Sequence, residues 1–258
     1  MSYTADEVAI IREGGRRLAK VLAQVVARVA PGVTTAELDA LAAAGVRAAG
    51  GLSSFLGYQG GGAVTPFPST LCTSINDEVV HAPALPARTL RAGDTIGLDI
   101  GMRYPVDGGL CTDMAVTVGV GKISQEQRRL IRVTQEALER GIAAARIGRR
   151  VRDISEVIQR HVEAAGYSVV RDLVGHGVGR DIHEDPEVPN FVIDGPISNE
   201  PLTAGLVIAI EPMVNAGQAA VRTGRDGWTV STKDHSHSAH FEHTVALTSR
   251  GPVVLTAV

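Results

Sequence analysis

Cysteine is nearly absent from this 258-residue sequence: Cys72 and Cys111 are its only two. They form neither a Cys-x-x-Cys pair nor a zinc-ribbon spacing. Two free thiols in a reducing compartment are the expectation, with a single disulfide left open. Long apolar runs are missing as well, and no window approaches the ~20 residues that a membrane-spanning helix needs. The start, Met1-Ser-Tyr-Thr-Ala-Asp-Glu7, has no basic segment leading into an apolar one, so no secretory signal is expected and the cytoplasm is the expected location. A basic excess is also lacking. The 25 Lys and Arg against 28 Asp and Glu leave a formal charge of -3, which gives no electrostatic case for nucleic acid or an anionic membrane as partner. The glycines of segment 57–70 are not followed by Gly-Lys-Ser/Thr and lead into no helix, which argues against a phosphate loop.

With 44% apolar and 21% charged residues, the chain is expected to be a soluble globular protein and a single domain, residues 1–258. Thr4-Ala-Asp-Glu7, Thr34-Thr-Ala-Glu37 and Ser124-Gln-Glu-Gln127 are capping boxes, each opening a predicted helix. Another helix is predicted from Val151 to Ala165, closed by Gly166. Strands are predicted at Leu71–Ile75, Val79–Val80, Val169–Val174, Leu206–Val214 and Phe241–Thr248, and around Gly227–Ser231. Thr95–Val118 reads as two strands joined near Asp107-Gly108-Gly109.

The order repeats. Pro31–Gly50 aligns with Ile147–Gly166, Ala92–Asp99 with Ala204–Glu211, and Asp113–Val118 with Glu242–Leu247. The chain therefore reads as two helix-helix-strand-strand halves. Four of the predicted strands, two in each half, carry one acid each on the small-residue face. Asp99 lies with Gly97 and Gly101, opposite Ile96, Leu98, Ile100 and Met102. Asp113 lies with Ala115 and Thr117, Glu211 with Ala209 and Val207, and Glu242 with Thr244 and Ala246. If the hairpin folds about Val106, Asp99 and Asp113 face each other; a turn centred on Asp107-Gly108 would offset them by three and require a bulge. Four bare carboxylates converging about a pseudo-two-fold axis would be strongly unfavourable, and two divalent cations are the natural compensation. His176, caged in Gly175-His-Gly-Val-Gly179, is the imidazole candidate, and such an oxygen-rich set suits Mn, Fe, Co or Zn. His183 is not part of a zincin motif, because Glu187 stands where the second histidine would be. His235, His237 and His243 are expected on loops or on the apolar face, with His240 near the site.

Asn76-Asp-Glu-Val-Val-His81, Gly175-His-Gly-Val-Gly-Arg-Asp-Ile-His-Glu-Asp-Pro186, Ile210-Glu-Pro-Met-Val-Asn-Ala-Gly217, Asp226-Gly-Trp-Thr-Val and Glu242-His-Thr together resemble type I methionine aminopeptidase over essentially the whole chain. The resemblance implies the α+β pita-bread fold, with a mostly antiparallel curved sheet and helices on its outer face. It implies removal of the initiator methionine before a small second residue, by hydroxide that two divalent metal ions activate. Asp99 would bind one metal, Asp113 and Glu242 would bridge both, and His176 and Glu211 would bind the other. Glu211 would also relay the proton, while His81 and His183 would contact substrate and stabilise the reacting carbonyl. Tyr58, Phe67, Cys72 and Trp228 would line the methionine pocket. Nascent chains beginning with Met would be the partners, with ribosome association and a monomeric state as further expectations.

Three departures from the family pattern stand out: a longer interval from Asp99 to Asp113, a glycine-rich insertion at 59–68 with Gln59 where histidine is common, and Ala82 after His81. Two rivals share the fold. Xaa-Pro peptidases usually carry an extra amino-terminal domain, for which few residues precede Thr4, and non-catalytic binding proteins typically lose the metal ligands.

Overall fold

The computed structural model describes residues 2–60 and 65–257. Four α-helices carry the outer layer: α1 Ala5–Arg28, α2 Thr35–Ala48, α3 Gln125–Ala144 and α4 Val151–Ala164. All three predicted capping boxes form, with Thr4, Thr34 and Ser124 each accepting from the residue three ahead. They satisfy amide groups that a helix leaves unpaired at its start. At α4, Asp153 accepts from the Arg150 amide at 2.8 Å, and no hydroxyl cap is present. Helices α2 and α4 end alike, on Gly50 (φ +76°) and Gly166 (φ +82°), the left-handed conformation that glycine adopts without steric cost.

Five strands precede α3: β1 Leu52–Ser53, β2 Cys72–Ile75, β3 Glu78–Val80, β4 Thr95–Tyr104 and β5 Leu110–Gly119. After α4 come β6 Ser168–Val169, β7 Gly175–Gly177, β8 Glu184–Val188, β9 Val207–Ile210, β10 Met213–Asn215, β11 Val221–Thr223, β12 Val230–Thr232, β13 Ser238–His240, β14 Glu242–Thr248 and β15 Gly251–Val254. The main sheet has the order β1-β4-β5-β14-β9-β7-β8, with β2 added on β4 and β15 on β14. Two smaller sheets, β13-β10-β6 and β11-β12-β3, flank it.

The alternation of side chains along each strand sorts the core into two faces. On the helix side, Ile96, Leu98, Ile100 and Met102 of β4 pack with Leu18 and Leu22 of α1 and Leu38 of α2. In the second half, Ile208 and Ile210 of β9 and Val245 and Leu247 of β14 pack with Leu138 of α3 and Ile154 and Ile158 of α4. Each such aliphatic side chain, once buried, contributes about 1.5–3 kcal/mol of transfer free energy. The opposite face of the sheet is thereby left to the small residues and the acids.

The hairpin follows neither of the two registers considered from sequence. Asp99 pairs with Ala115 and Gly101 with Asp113 in one unbroken ladder from Thr95↔Gly119 to Tyr104↔Leu110. The turn centres on Asp107, so the two acids are diagonal neighbours on one face and no bulge is needed. The longer interval between them is taken up mostly by ordered strand, with 105–109 outside it. Of the glycine-rich insertion at 59–68, residues 61–64 lie outside the described residues. The predicted strand Leu206–Val214 breaks at Glu211-Pro212, because proline has no amide to continue a ladder, and Met213–Asn215 pairs in a different sheet. Val169–Val174 likewise stops at Val169. Both cysteines are free and buried. Cys72 pairs across from Asp99 and Cys111 from Arg103 on opposite edges of β4, about 13 Å apart along the strand alone at ~3.3 Å per residue, which is too far for a disulfide.

Candidate metal centre and substrate cavity

The strand order places the predicted acids in one row. Ala115 of β5 pairs with Asp99 on one side and with Glu242 on the other, and Asp113 lies two residues along the same face of β5. His243 pairs with Ile210, so Glu211, just past the end of β9, comes opposite Glu242. Gly177 of β7 pairs with Ile208, which brings His176 beside Glu211. Five adjacent strands thus each present one polar group, and the methyl side chain of Ala115 leaves the space between three of them clear.

The side chains converge. Asp99, Asp113 and Glu242 each place an oxygen within 4.8 Å of the others, and His176, Glu211 and Glu242 form a second such group. A third comprises Asp113, His176 and His183. Asp99, Asp113, Glu242, Glu211 and His176 are all buried, at 9% exposure or less. The backbone is pinned where the acids stand. The Thr244 hydroxyl donates to the Asp113 carbonyl (2.8 Å) and accepts from the Asp113 amide (2.9 Å), and the Asn190 side-chain amide donates to the Glu211 carbonyl (3.0 Å).

Burial, reinforced by the neighbouring carboxylates, pushes Asp99, Glu211 and Glu242 well above the usual carboxylate range, and burial raises Asp113 as well. Burial, with neighbouring imidazoles, lowers His176 and His240 to about 3 and His81 to about 4. Burial also lowers His183. Left to themselves these groups favour their neutral forms, the response expected of crowded ionisable groups in a low dielectric. Asp99 Oδ1, Asp113 Oδ1 and Glu242 Oε1 are buried without any hydrogen-bond partner. Orphaned carboxylate oxygens aimed at one another fit a divalent cation, which would accept them as ligands and favour their ionised forms. His176 is oriented to serve as a ligand too. Its Nδ1 meets the Gly177 carbonyl at 2.9 Å, so that nitrogen carries the proton and Nε2 presents its lone pair.

The row opens into a cavity of about 530 Å³. His81, at the end of β3, enters it from a left-handed backbone (φ +59°). His183 stacks edge-on against His176 at 4.4 Å and meets the Tyr58 hydroxyl through Nδ1 at 2.9 Å. Beyond them the cavity is apolar and aromatic. Phe67 and Trp228 meet edge to face at 5.2 Å, and Tyr58, Cys72 and Phe55 complete that wall. The Trp228 indole donates to the Thr65 carbonyl at 3.0 Å, which ties the 226–229 turn to the later part of the 59–68 insertion.

Every site residue expected from sequence lines or adjoins this cavity. Phe55, Leu173, Val174 and Met213 line it too; only Met213 stands in a quoted motif, and all four reach the cavity through tertiary packing that no spacing reveals. His240 also enters the site, with Nε2 3.4 Å from Glu211 Oε2; its spacing of two from Glu242 was the available signal. His235 lies on the surface against Asp77, and His243 points to the other face, its Nδ1 2.9 Å from the Thr256 hydroxyl.

Comparison with known proteins agrees with this geometry. The chain is 45% identical to a methionine aminopeptidase of Clostridium perfringens over 254 residues, 98% of this chain and 97% of that one. It superposes on the crystal structure of methionine aminopeptidase from Thermotoga maritima with a TM-score of 0.92 and 37% identity, covering 100% of this chain and 99% of that one. The prolidase from Pyrococcus horikoshii, at 18% identity and a TM-score of 0.77 over 100% of this chain and 64% of its own length, shares the fold. The architecture is the α+β pita-bread fold, with helices on one side of a curved antiparallel sheet. Residues 9–249 match metallopeptidase family M24, and the chain belongs to that family, among its methionine aminopeptidases.

Proposed function

We propose that this chain removes the first methionine from peptides and nascent proteins whose second residue is small, as a single catalytic domain using two divalent cations. The observation that carries this reading is the juxtaposition of the buried acid row with an aromatic-walled cavity bordered by two histidines. Asp99, Asp113 and Glu242 would hold one ion, and Glu242, Asp113, Glu211 and His176 the other. When bound, such ions would polarise the scissile carbonyl and activate a water molecule near neutral pH.

The protein's own groups do the rest. The substrate's free amino group sits by Asp99, whose ionised form offers it a counter-charge. The methionine side chain fills the slot formed by Tyr58, Phe67, Cys72 and Trp228, and its thioether packs favourably against aromatic rings. Glu211 accepts the proton of the attacking water and returns it to the leaving amine. His183, with Nδ1 engaged by Tyr58, turns Nε2 toward the carbonyl oxygen, while His81 stabilises the charge that develops there. As neutral rings, each can serve as a hydrogen-bond donor through one nitrogen.

The partners would be methionine-initiated chains emerging from the ribosome in the cytoplasm, met by a monomer. No helix among the described residues is long and apolar enough to cross a membrane. The test is a metal-reconstitution series with Mn²⁺, Co²⁺, Fe²⁺ and Zn²⁺, assayed on Met-Ala-Ser, Met-Leu-Ser and a Xaa-Pro dipeptide. Metal-dependent cleavage of Met-Ala-Ser alone is expected, and preference for the Xaa-Pro dipeptide would overturn the proposal.

A further inference from the structure

We propose that His240 is a positioning residue for Glu211, donating its Nε2–H to Glu211 Oε2 so that the other oxygen is turned to the reacting side. The inference rests on the role given to Glu211 above and concerns a residue to which that mechanism assigns nothing.

His240 shares the inward face with Glu242 and Thr244, and its ring is 3% exposed. Its main chain is fixed to β5 by a reciprocal pair: the His240 amide donates to the Thr117 hydroxyl at 2.9 Å, and that hydroxyl donates to the His240 carbonyl at 2.8 Å. A hydroxyl inserted between two strands in this way satisfies both backbone groups and sets their separation. The ring therefore projects from a rigid base.

Its Nε2 is buried and makes no hydrogen bond. It stands 3.4 Å from Glu211 Oε2, while Glu211 Oε1 stands 3.4 Å from His176 Nε2. The two imidazoles are not equivalent. His176 already commits its proton at Nδ1 to the Gly177 carbonyl, so as a neutral ring it offers Oε1 no hydrogen. His240 has no such commitment, and its Nε2 is free to carry the proton. Glu211 precedes Pro212 at the end of β9, where the ladder stops, and its carbonyl is held by Asn190. Its main chain is thus fixed, and the orientation of its carboxylate falls to the groups facing its two oxygens. A carboxylate that must take up and release a proton at one oxygen gains from a donor that fixes the other. Catalytic hydrogen bonds are often long before substrate is bound and tighten in the working complex.

The experiment uses the Zn²⁺-loaded full chain and two readouts. In protein labelled with ¹⁵N-histidine, the His240 resonances, identified by their loss in His240→Gln, should report a ring protonated at Nε2. A ring protonated at Nδ1, or an Nε2 shifted by direct metal coordination, would overturn the proposal without reference to any substrate. In kinetics on Met-Ala-Ser, His240→Leu should lower kcat about 10–100-fold with KM within about twofold. His240→Gln, whose amide can donate from a similar reach, should restore kcat to within about threefold. Calorimetric titration with Zn²⁺ should show both variants retaining the wild-type stoichiometry. Unchanged kcat in His240→Leu, or failure of His240→Gln to rescue, contradicts the assignment. If His240→Leu does not fold, His240→Asn replaces it, since its amide is one methylene shorter than that of glutamine, and it should show the same loss. Should wild-type protein fail to cleave Met-Ala-Ser, the function proposed above fails, and the tautomer measurement still decides the His240 contact.

Discussion

In the amino-terminal half of the sheet, β4 and β5 run for ten residues each in unbroken register, and both acids are aspartates. In the carboxy-terminal half, β9 stops after four residues and β14 after seven, and both acids are glutamates. The regular hairpin delivers its carboxylates by backbone placement alone, as diagonal neighbours beside Ala115. Glu211 stands beyond the last ladder pair, at a proline, and needs one more carbon, about 1.5 Å of reach. That extra length also gives it an additional torsion; His176 and His240 face its two carboxylate oxygens at 3.4 Å, while Asn190 holds its main-chain carbonyl. In the proposed mechanism the rigid half would supply fixed ligands, and the interrupted half the group suited to moving a proton.

Removing charge from the equivalent acids should separate the two halves most strongly. Glu211→Gln is expected to lower kcat about 10²–10⁴-fold, the range for loss of general acid–base catalysis, and excess metal should not restore it. Asp99→Asn, at the corresponding place in the other half, should weaken metal binding and recover much of its activity at high metal concentration. Parallel titrations of the two variants with Mn²⁺, followed by Met-Ala-Ser turnover, distinguish them. Equal rescue of both would show that Glu211 acts only as a ligand.

Beside the acid row, the cavity takes His81 from the first half and His183 from the second. His81→Ala should reduce kcat about 10²–10³-fold, as loss of a donor to a developing oxyanion does, with metal content by elemental analysis unchanged. Unaltered turnover would remove its catalytic role. His183→Ala should act on KM as well, because its ring also packs on Tyr58 and His176.

Much of this arrangement was legible in the sequence, for identifiable reasons. The capping boxes are local, and they marked three helix starts. The alternation about Asp99, Asp113, Glu211 and Glu242 sorted every acid to the face it occupies, because period two is intrinsic to a strand. The register between strands was not legible: a turn centred on Asp107 instead of Val106 depends on how the whole β4–β5 ladder closes. Pro212 signalled the interruption of Leu206–Val214, and the surrounding apolar residues concealed it. Phe55 and Met213 could not be found from spacing at all, since only tertiary packing brings them to the cavity. The position of Ala115 between Asp99 and Glu242 depends on strand order, which no local pattern encodes.

The crowded acids also make a prediction about pH. A carboxyl whose pKa is raised in the folded protein contributes stability at pH values below its unfolded value near ~4, and that contribution is lost as pH rises through the folded value. Asp99, Asp113, Glu211 and Glu242 are all of this kind without metal. The depressed histidines act oppositely and cost stability as pH falls from ~6.5 toward their folded values; His81, for one, sits at about 4. Added Zn²⁺ should therefore raise the melting temperature more at about pH 7.5 than at about pH 5.5, since binding displaces protons from the acids. A metal effect independent of pH in calorimetry would contradict the buried-acid account.

The smallest expected difference concerns the helices. Thr34 caps α2 through its hydroxyl, whereas Arg150, at the corresponding start of α4, provides no such cap. Thr34→Ala should cost about 1 kcal/mol in denaturant unfolding, and Arg150→Ala less, about 0.5 kcal/mol. Equal costs would show that the capping hydroxyl is not what distinguishes them.

In the proposed function the two halves jointly build one two-ion site for methionine removal. Calorimetric titration of the metal-free chain with Mn²⁺, with release of methionine from Met-Ala-Ser measured at each point, tests it most directly. The account predicts binding that saturates at two ions per chain, with activity that rises with occupancy and is absent without metal. Saturation without any release of methionine, or release undiminished after complete chelation, would contradict it.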